Sequence, residues 1–224
     1  MNDDDKRVAA EAAVLEIRAG MLVGLGTGST AAFAIAALGR MVRDGLAIRA
    51  VATSDESERQ ARALGIEMLV FADVAEVDLT IDGADEIDSR LFAVKGAGGA
   101  MLREKAVAAA SRRMVVIADG SKQVDLIGGA AVPVEILPFA RASVLAAIGD
   151  AAVLRTRAGA PYLTDNGNYV ADCALALDDP RSVATRLSAI PGVMGHGLFL
   201  DEVDAAYIAS RGVVTRLERT HTPG

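Results

Sequence analysis

Cysteine occurs once, at Cys173, so no disulfide can close within the chain. No histidine lies near it in sequence, and it reads as a packing residue; a reducing compartment is the simpler setting. Tryptophan is absent, and aromatics make up 4% of the 224 residues. The 52% hydrophobic content is therefore mostly aliphatic, and a chain of this length can bury a sizeable core. No apolar run approaches the ~18 residues of a membrane span. The opening MNDDDKR is acidic rather than basic-then-apolar, which is not the pattern of a secretory signal. Together these absences point to a soluble cytoplasmic protein. Positive charge is also in deficit, with a formal net charge of -7 and a pI of about 4.9. General affinity for nucleic acid or for an anionic membrane needs a basic face, so both are disfavoured. A small anionic ligand needs only a local site.

Lysine is scarce, with four (Lys6, Lys95, Lys105, Lys122) against nineteen arginines. Lys95 and Lys122 follow strand-like runs, in VKGAGG and ADGSKQV. Where arginine is the default, a retained lysine signals a compact, rotatable point charge.

Strand and helix patterns alternate through the first half. A helix is expected over 3–19, with Asp3, Asp4 and Asp5 at its positive end, Val8, Ala12 and Leu15 on one face, and Gly20 as its stop. Strands follow at MLVGLG, IRAVAT, EMLVF, VDLTID and RMVVIAD. Helices are expected over 29–44, from Ser54 to Gly65, and in GGAMLREKAVAAAS. This alternation predicts an α/β fold, a Rossmann-like parallel sheet with helices on both faces. Ligands of such folds bind outside the carboxyl ends of the strands, where loops 24–30, 82–88 and 95–99 would lie. All six prolines fall beyond residue 132, and TDNGNYVAD carries a hairpin signal at Asn166-Gly167. Helical stretches at 139–149 and 180–190 flank it. A smaller α+β unit over 128–200 is expected, inserted into a first domain of 1–127 plus 201–224. The last two strands would rejoin the first sheet.

GLGTGST (24–30) follows a strand and opens a helix. The N–H groups of a helix start, with the hydroxyls of Thr27, Ser29 and Thr30, can hold a phosphate. Gly28 lets the backbone approach a ligand. The lysine of a P-loop is missing. A dinucleotide site remains an alternative, with Asp55 as the ribose carboxylate, and so does a purely structural turn. TIDGADEID holds Asp82, Asp85, Glu86 and Asp88 within seven residues. It can be a solvated acidic cap, a Mg²⁺ or Ca²⁺ site, or a proton-transfer site in which crowded carboxylates push their pKa values apart. Gly83 and Ala84 keep that turn tight; Asp82 and Asp85 would face the cleft, and Glu86 and Asp88 would cap or meet solvent. The next segment favours proton transfer. Lys95 with the N–H groups around Gly96, Ala97 and Gly98 suits a developing oxyanion. Glu104 has Ala100, Met101, Val107 and Ala108 at three and four residues. Such surroundings raise a carboxyl pKa toward that of a general base, although REK also reads as an ordinary exposed triplet.

GLGTGSTAA, TIDGADEID, KGAGGAMLREK, ADGSKQVD, PVEILPFA and TDNGNYVAD, in this order, resemble the type A ribose-5-phosphate isomerases from the first helix to the C-terminus. The resemblance implies interconversion of ribose 5-phosphate and ribulose 5-phosphate in the pentose phosphate pathway, with no cofactor and no metal. It implies Glu104 as general base, Asp82 in ring opening, and Asp85 and Lys95 managing protons and charge on the sugar oxygens. Substrate binding falls to Thr27, Gly28, Ser29, Thr30, Asp82, Gly83, Ala84, Asp85, Lys95, Gly96, Ala97, Gly98 and Lys122, and less firmly to Lys6. It also implies a homo-oligomer, dimer or tetramer, assembled through the smaller domain. Phe33 and Ala34, where some members carry histidine, and Ala97 in place of glycine depart from the pattern. Two rivals share part of it: a CoA transferase with a covalent glutamate, and a non-catalytic sugar-phosphate sensor.

Overall fold

The computed structural model describes residues 2–219; Met1 and 220–224, with Pro223 and the end of the expected first domain, lie outside the described residues. In chain order come α1 (Asn2–Ala13), β1 (Leu22–Leu25), α2 (Ser29–Arg43), β2 (Arg49–Ala52), α3 (Asp55–Ala63), β3 (Glu67–Met68), β4 (Leu79–Gly83), the short β5 (Glu86–Ile87) and β6 (Ala93–Val94), α4 (Met101–Ala109) and β7 (Met114–Asp119). There follow β8 (Val132–Ile136), α5 (Arg141–Ile148), β9 (Ala152–Leu154), β10 (Thr156–Arg157), β11 (Ala160–Pro161), β12 (Tyr169–Cys173), α6 (Pro180–Ser188), β13 (Val193–His196) and β14 (Leu198–Phe199). The last elements among the described residues are β15 (Ala205–Ser210) and β16 (Val213–Glu218).

The main sheet has seven strands in the order β16-β15-β7-β4-β1-β2-β3. All its pairings are parallel except β15 with β16. Buried strands of such a sheet read as unbroken apolar runs because helices cover both faces. In β7, Val115 and Ile117 enter the core built with α1 and α2, while Met114 and Val116 enter a second core with Ala108 and Phe199. The chain winds outward from β1 in both directions. Its winding reverses between β1 and β4, and a crevice opens there at the carboxyl ends of the strands.

Residues 132–196 build a four-stranded antiparallel sheet, β13-β8-β12-β9. Val132, Val134 and Ile136 face Val144 of α5 and Val183 and Leu187 of α6. Cys173 is buried in this core, and burial pushes its thiol up to about 12, so it stays protonated as a packing residue. A three-stranded sheet, β14-β6-β5, had no clear signal in the sequence, because its strands are two residues long. No described helix is long and apolar enough to cross a membrane.

Three local expectations are corrected. The first helix stops at Ala13 and tightens into a 3₁₀ turn over Val14–Glu16. That change of phase turns Leu15 outward, 75% exposed, and the buried face is Ala9, Ala10, Ala13, Val14 and Ile17. EMLVF yields only the two-residue β3, an edge strand paired with β2 alone, before the chain turns at Phe71–Asp73. The turn in TDNGNYVAD is closed by Gly167 N–H donating to Thr164 O, which centres it on Asp165-Asn166, with Gly167 at φ +75° following. Only Leu163 pairs across it with Tyr169, and β12 takes β8 and β9 as partners.

Candidate active site

Loop 26–28 leaves the end of β1, and Asp82 sits near the end of β4, so the sheet itself brings the first two motifs together. The fit is close. A Cβ on Gly26 would lie 2.0 Å from Asp82 Oδ1, and one on Gly24 would lie 2.0 Å from Thr80 Oγ1. Both glycines are there because neighbouring chain occupies the space of a side chain. Gly26→Ala is expected to force Asp82 from its place, at a cost of about 1–3 kcal/mol. Chemical denaturation with a parallel activity assay measures both effects; unchanged stability and activity would remove Gly26 from the architecture of the site.

The cleft at the switch point, about 260 Å³, is lined by Thr27 to Thr30, Gly83 to Asp85, Lys95 to Gly98, Glu104, Lys122 and Lys6. Every residue expected at the site is there except Asp82, which lies fully enclosed just beneath. Sites for larger ligands begin near 300 Å³, so the space suits a small molecule better than a dinucleotide or an acyl-CoA.

At its floor are three charged side chains that are all but inaccessible: Asp82 at 0% exposure, Lys95 at 2% and Glu104 at 3%. Lys95 Nζ is 2.9 Å from Asp82 Oδ2 and 3.2 Å from Glu104 Oε2, and it donates to Gly83 O. Asp82 Oδ1 accepts from Thr27 N–H at 3.0 Å and Gly83 N–H at 2.7 Å. Neither Asp82 Oδ2 nor Glu104 Oε2 receives a directed hydrogen bond among the described residues, so the ammonium is what faces them. Glu104 comes to this point because α4 buries Met101, Glu104, Val107 and Ala108 along one stripe.

One ammonium between two carboxylates leaves an excess negative charge in a dry place. Burial raises the Glu104 pKa most; Lys95 lowers it and Asp82 raises it again, and the group ends at about 8. For Lys95, burial works to lower the pKa, but Asp82 and Glu104 more than reverse this and hold it above the ordinary value. The lysine therefore stays charged while the glutamate can exchange a proton near neutral pH.

The other carboxylates take separate places. Asp85 lines the cleft, and its Oδ2 accepts from Ala97 N–H at 2.9 Å. Glu86 and Asp88 are buried rather than solvated. Glu86 accepts from Gly128 N–H and Ala130 N–H at 2.8 and 2.6 Å, and Asp88 Oδ1 accepts from Arg90 N–H and Phe92 N–H at 2.9 and 3.2 Å. Asp88 thus caps its own turn, one of the two fates expected, whereas short-range spacing could not reveal the Glu86 partners, more than forty residues away. No group of three or more His, Cys, Asp or Glu among the described residues is arranged to hold a metal ion.

At the other end, α2 begins at Ser29 and leaves its first N–H groups toward the cleft. Gly28, at φ +104°, makes the turn into it. Thr27 lines the cleft with them. Thr27 Oγ1 is 2.8 Å from Thr53 Oγ1, with either hydroxyl able to donate, and Thr53 Oγ1 is 3.2 Å from Leu25 O. Lys6, on α1, reaches Ser29 Oγ at 3.1 Å. Lys122 lines the same cleft with no ion-pair partner among the described residues.

Sequence reasoning missed Arg155 and Tyr162, which hold loop 96–98 from the side of the smaller sheet, and Arg103, which ties α4 to Asp55 and the turn at 165–166. Arg155 and Tyr162 donate to carbonyls of loop 96–98. Arg103, next to Glu104, donates to Asp55 Oδ1, Asn166 Oδ1 and Asp165 O at 2.6, 2.8 and 2.9 Å. Thr164, Asn166 and Asn168 in turn donate to the buried Glu135 Oε1. Burial of Glu135 in PVEI was the one available hint, a charge inside an apolar run.

A doubly wound sheet with a near-neutral carboxyl, a buried ammonium and a helix start in one crevice defines an α/β acid–base enzyme for a small anionic substrate. Known proteins narrow this. The sequence model of ribose 5-phosphate isomerase A (phosphoriboisomerase A) matches residues 49–212. A ribose-5-phosphate isomerase A of Sphingopyxis alaskensis is 50% identical over 214 residues, covering 94% of each chain. The solved ribose 5-phosphate isomerase A of Methanocaldococcus jannaschii superposes with a TM-score of 0.92 at 35% identity, over 97% of this chain and 100% of that one. A D-ribose-5-phosphate isomerase in complex with phospho-erythronic acid gives 0.94 at 33% identity, over 98% and 100%. The chain belongs to the ribose 5-phosphate isomerase A family.

Proposed function

We infer that this protein is an isomerase interconverting D-ribose 5-phosphate and D-ribulose 5-phosphate through a cis-enediolate. The observation that carries the reading is the buried Glu104–Lys95–Asp82 group facing a helix start across one small cleft. In the open-chain aldose, Glu104 removes the proton from C2, and the C1 carbonyl becomes an oxyanion. Lys95 and the amides of loop 95–98 balance that charge. The proton returns to C1 while the O2 proton passes to O1, and a ketose results with no net oxidation. Asp85 borders the sugar oxygens and exchanges protons with them. Asp82 assists ring opening; enclosed beneath the cleft, it acts through the ammonium it holds. Thr27 to Thr30, Lys122 and Lys6 hold the phosphate end, and Gly83, Ala84 and Gly96 to Gly98 form the wall between.

The same reading places the protein in the cytoplasm, in the non-oxidative pentose phosphate pathway. It divides the chain into a catalytic unit, 1–127 plus 201–224, and an assembly unit, 128–200. Supporting this division, Phe139 is 97% exposed, and Leu137, Val153 and Met194 are exposed apolar residues of the same unit. A homodimer or homotetramer built on that surface would cover them. The test is to follow ketose formation from ribose 5-phosphate by purified protein in EDTA-treated buffer. Turnover is expected; its absence, or dependence on added divalent ions, overturns the reading.

A further inference from the structure

Loop 96–98 has its carbonyl groups held from behind. Arg155, just after β9, donates through Nη1 to Gly96 O at 3.2 Å and Ala97 O at 3.0 Å. Its Nε and Nη2 are fixed by the Asp172 carboxylate, and its backbone N–H is tied to Val170 O at 2.8 Å. Tyr162 Oη donates to Gly98 O at 3.1 Å, and its own N–H returns to Arg155 O at 2.9 Å. Three successive carbonyls therefore point toward the smaller sheet.

A trans peptide unit directs its N–H opposite to its C=O. The three units of this loop can be followed in turn. Ala97 N–H, paired with the Gly96 carbonyl, goes to Asp85. Gly99 N–H, paired with the Gly98 carbonyl, goes back to Gly96 O at 2.9 Å. Gly98 N–H, paired with the Ala97 carbonyl that Arg155 grips, finds no acceptor among the described residues, and Gly98 lines the cleft. Arg155 thus aims this free donor; Gly96 N–H, also without an acceptor among the described residues, belongs to a peptide whose carbonyl Arg155 does not grip. A cation bonded to the carbonyl end of a peptide also polarises it and strengthens the N–H at the other end.

We propose that Arg155 is a positioning residue for the isomerisation: by holding the Ala97 carbonyl it aims and polarises the Gly98 N–H that receives the oxyanion. This rests on the isomerase reading above. Arg155 itself touches no reacting atom.

The experiment compares Arg155→Met, Arg155→Lys and wild type in kinetics and in binding of two probes, inorganic phosphate and phospho-erythronic acid. The second probe adds a carboxylate at the reacting end. Arg155→Met is expected to lower kcat about 10–100-fold with KM changed less than about threefold, the scale of a displaced catalytic group. Phospho-erythronic acid should bind about tenfold more weakly and phosphate unchanged. Arg155→Lys, which keeps the charge but not the fork, should fall between. An unchanged kcat, or equal weakening of both probes, overturns the proposal. Should Arg155→Met not fold, Asp172→Asn loosens the same guanidinium and must show the same split in smaller degree. Absence of turnover in wild type refutes the isomerase reading instead, while the probe comparison still decides whether Arg155 governs the reacting end.

Discussion

Glu104→Gln is expected to lower kcat by roughly 10²–10⁴-fold, the range for loss of a general base, with KM nearly unchanged. The amide keeps the size of the carboxyl and loses the ability to accept a proton. A second signature follows from its surroundings. The wild-type base must be deprotonated to act, so kcat/KM should rise with pH through a limb near the free-enzyme value of about 8. The variant's residual activity should lack that limb. Stability moves the other way. A carboxyl whose folded pKa is raised from 4.5 to about 8 holds its proton more tightly in the native state. That advantage is full at low pH and is lost as pH climbs from the unfolded value through the folded one. Glutamine cannot ionise and suffers no such loss. The difference in Tm between variant and wild type should therefore grow in the variant's favour from pH about 5 to about 9. Full activity in Glu104→Gln would refute the base assignment, and a flat difference in Tm would refute the raised pKa.

Lys95→Met should be nearly as severe, for two separable reasons. It removes a donor to the oxyanion, an effect of about 10²–10³ in kcat. It also leaves Asp82 and Glu104 facing each other without a cation, which drives the Glu104 pKa higher still and shifts the rising limb of kcat/KM to more alkaline pH. Removing one partner of a buried pair costs on the order of 3–5 kcal/mol. Protonation of the stranded carboxyls relieves that cost, so the loss of stability should be larger in alkaline than in acidic buffer. The double variant Lys95→Met with Glu104→Gln checks the origin of the effect. Its stability loss should be smaller than that of Lys95→Met alone, since one stranded charge is gone. Strict additivity in urea unfolding at alkaline pH would mean that the two side chains do not share one electrostatic site.

Much of the fold was legible because its signals are short-range. The unbroken run in β7 announced a strand covered on both faces, and Ser54 announced the start of α3, where its side chain accepts from Ser57 N–H. The cleft was legible because three loops follow three strands of a parallel sheet, and topology brings their ends together. What escaped is long-range. Nothing near Arg155 says that it will meet Gly96 and Ala97, nearly sixty residues earlier. Nothing near Glu86 says that the N–H groups of residues 128 and 130 will enclose it. The contact of the Thr27 hydroxyl depends on Thr53, a partner just beyond the end of β2. Leu15 fitted a helical stripe and lost its place because the helix tightened one turn too soon.

The place of β15 in the main sheet bears on how the chain is made. β7 lies inside the sheet, yet its partner on one side comes from the last twenty residues. During synthesis at about 5–20 residues per second, an apolar strand edge must wait on the order of 5–20 seconds for residues 205–210 to emerge. Unpaired edges of that kind invite pairing with other chains. A ribosome carrying this message thus displays, for most of that interval, a sticky nascent surface that molecular chaperones are suited to shield.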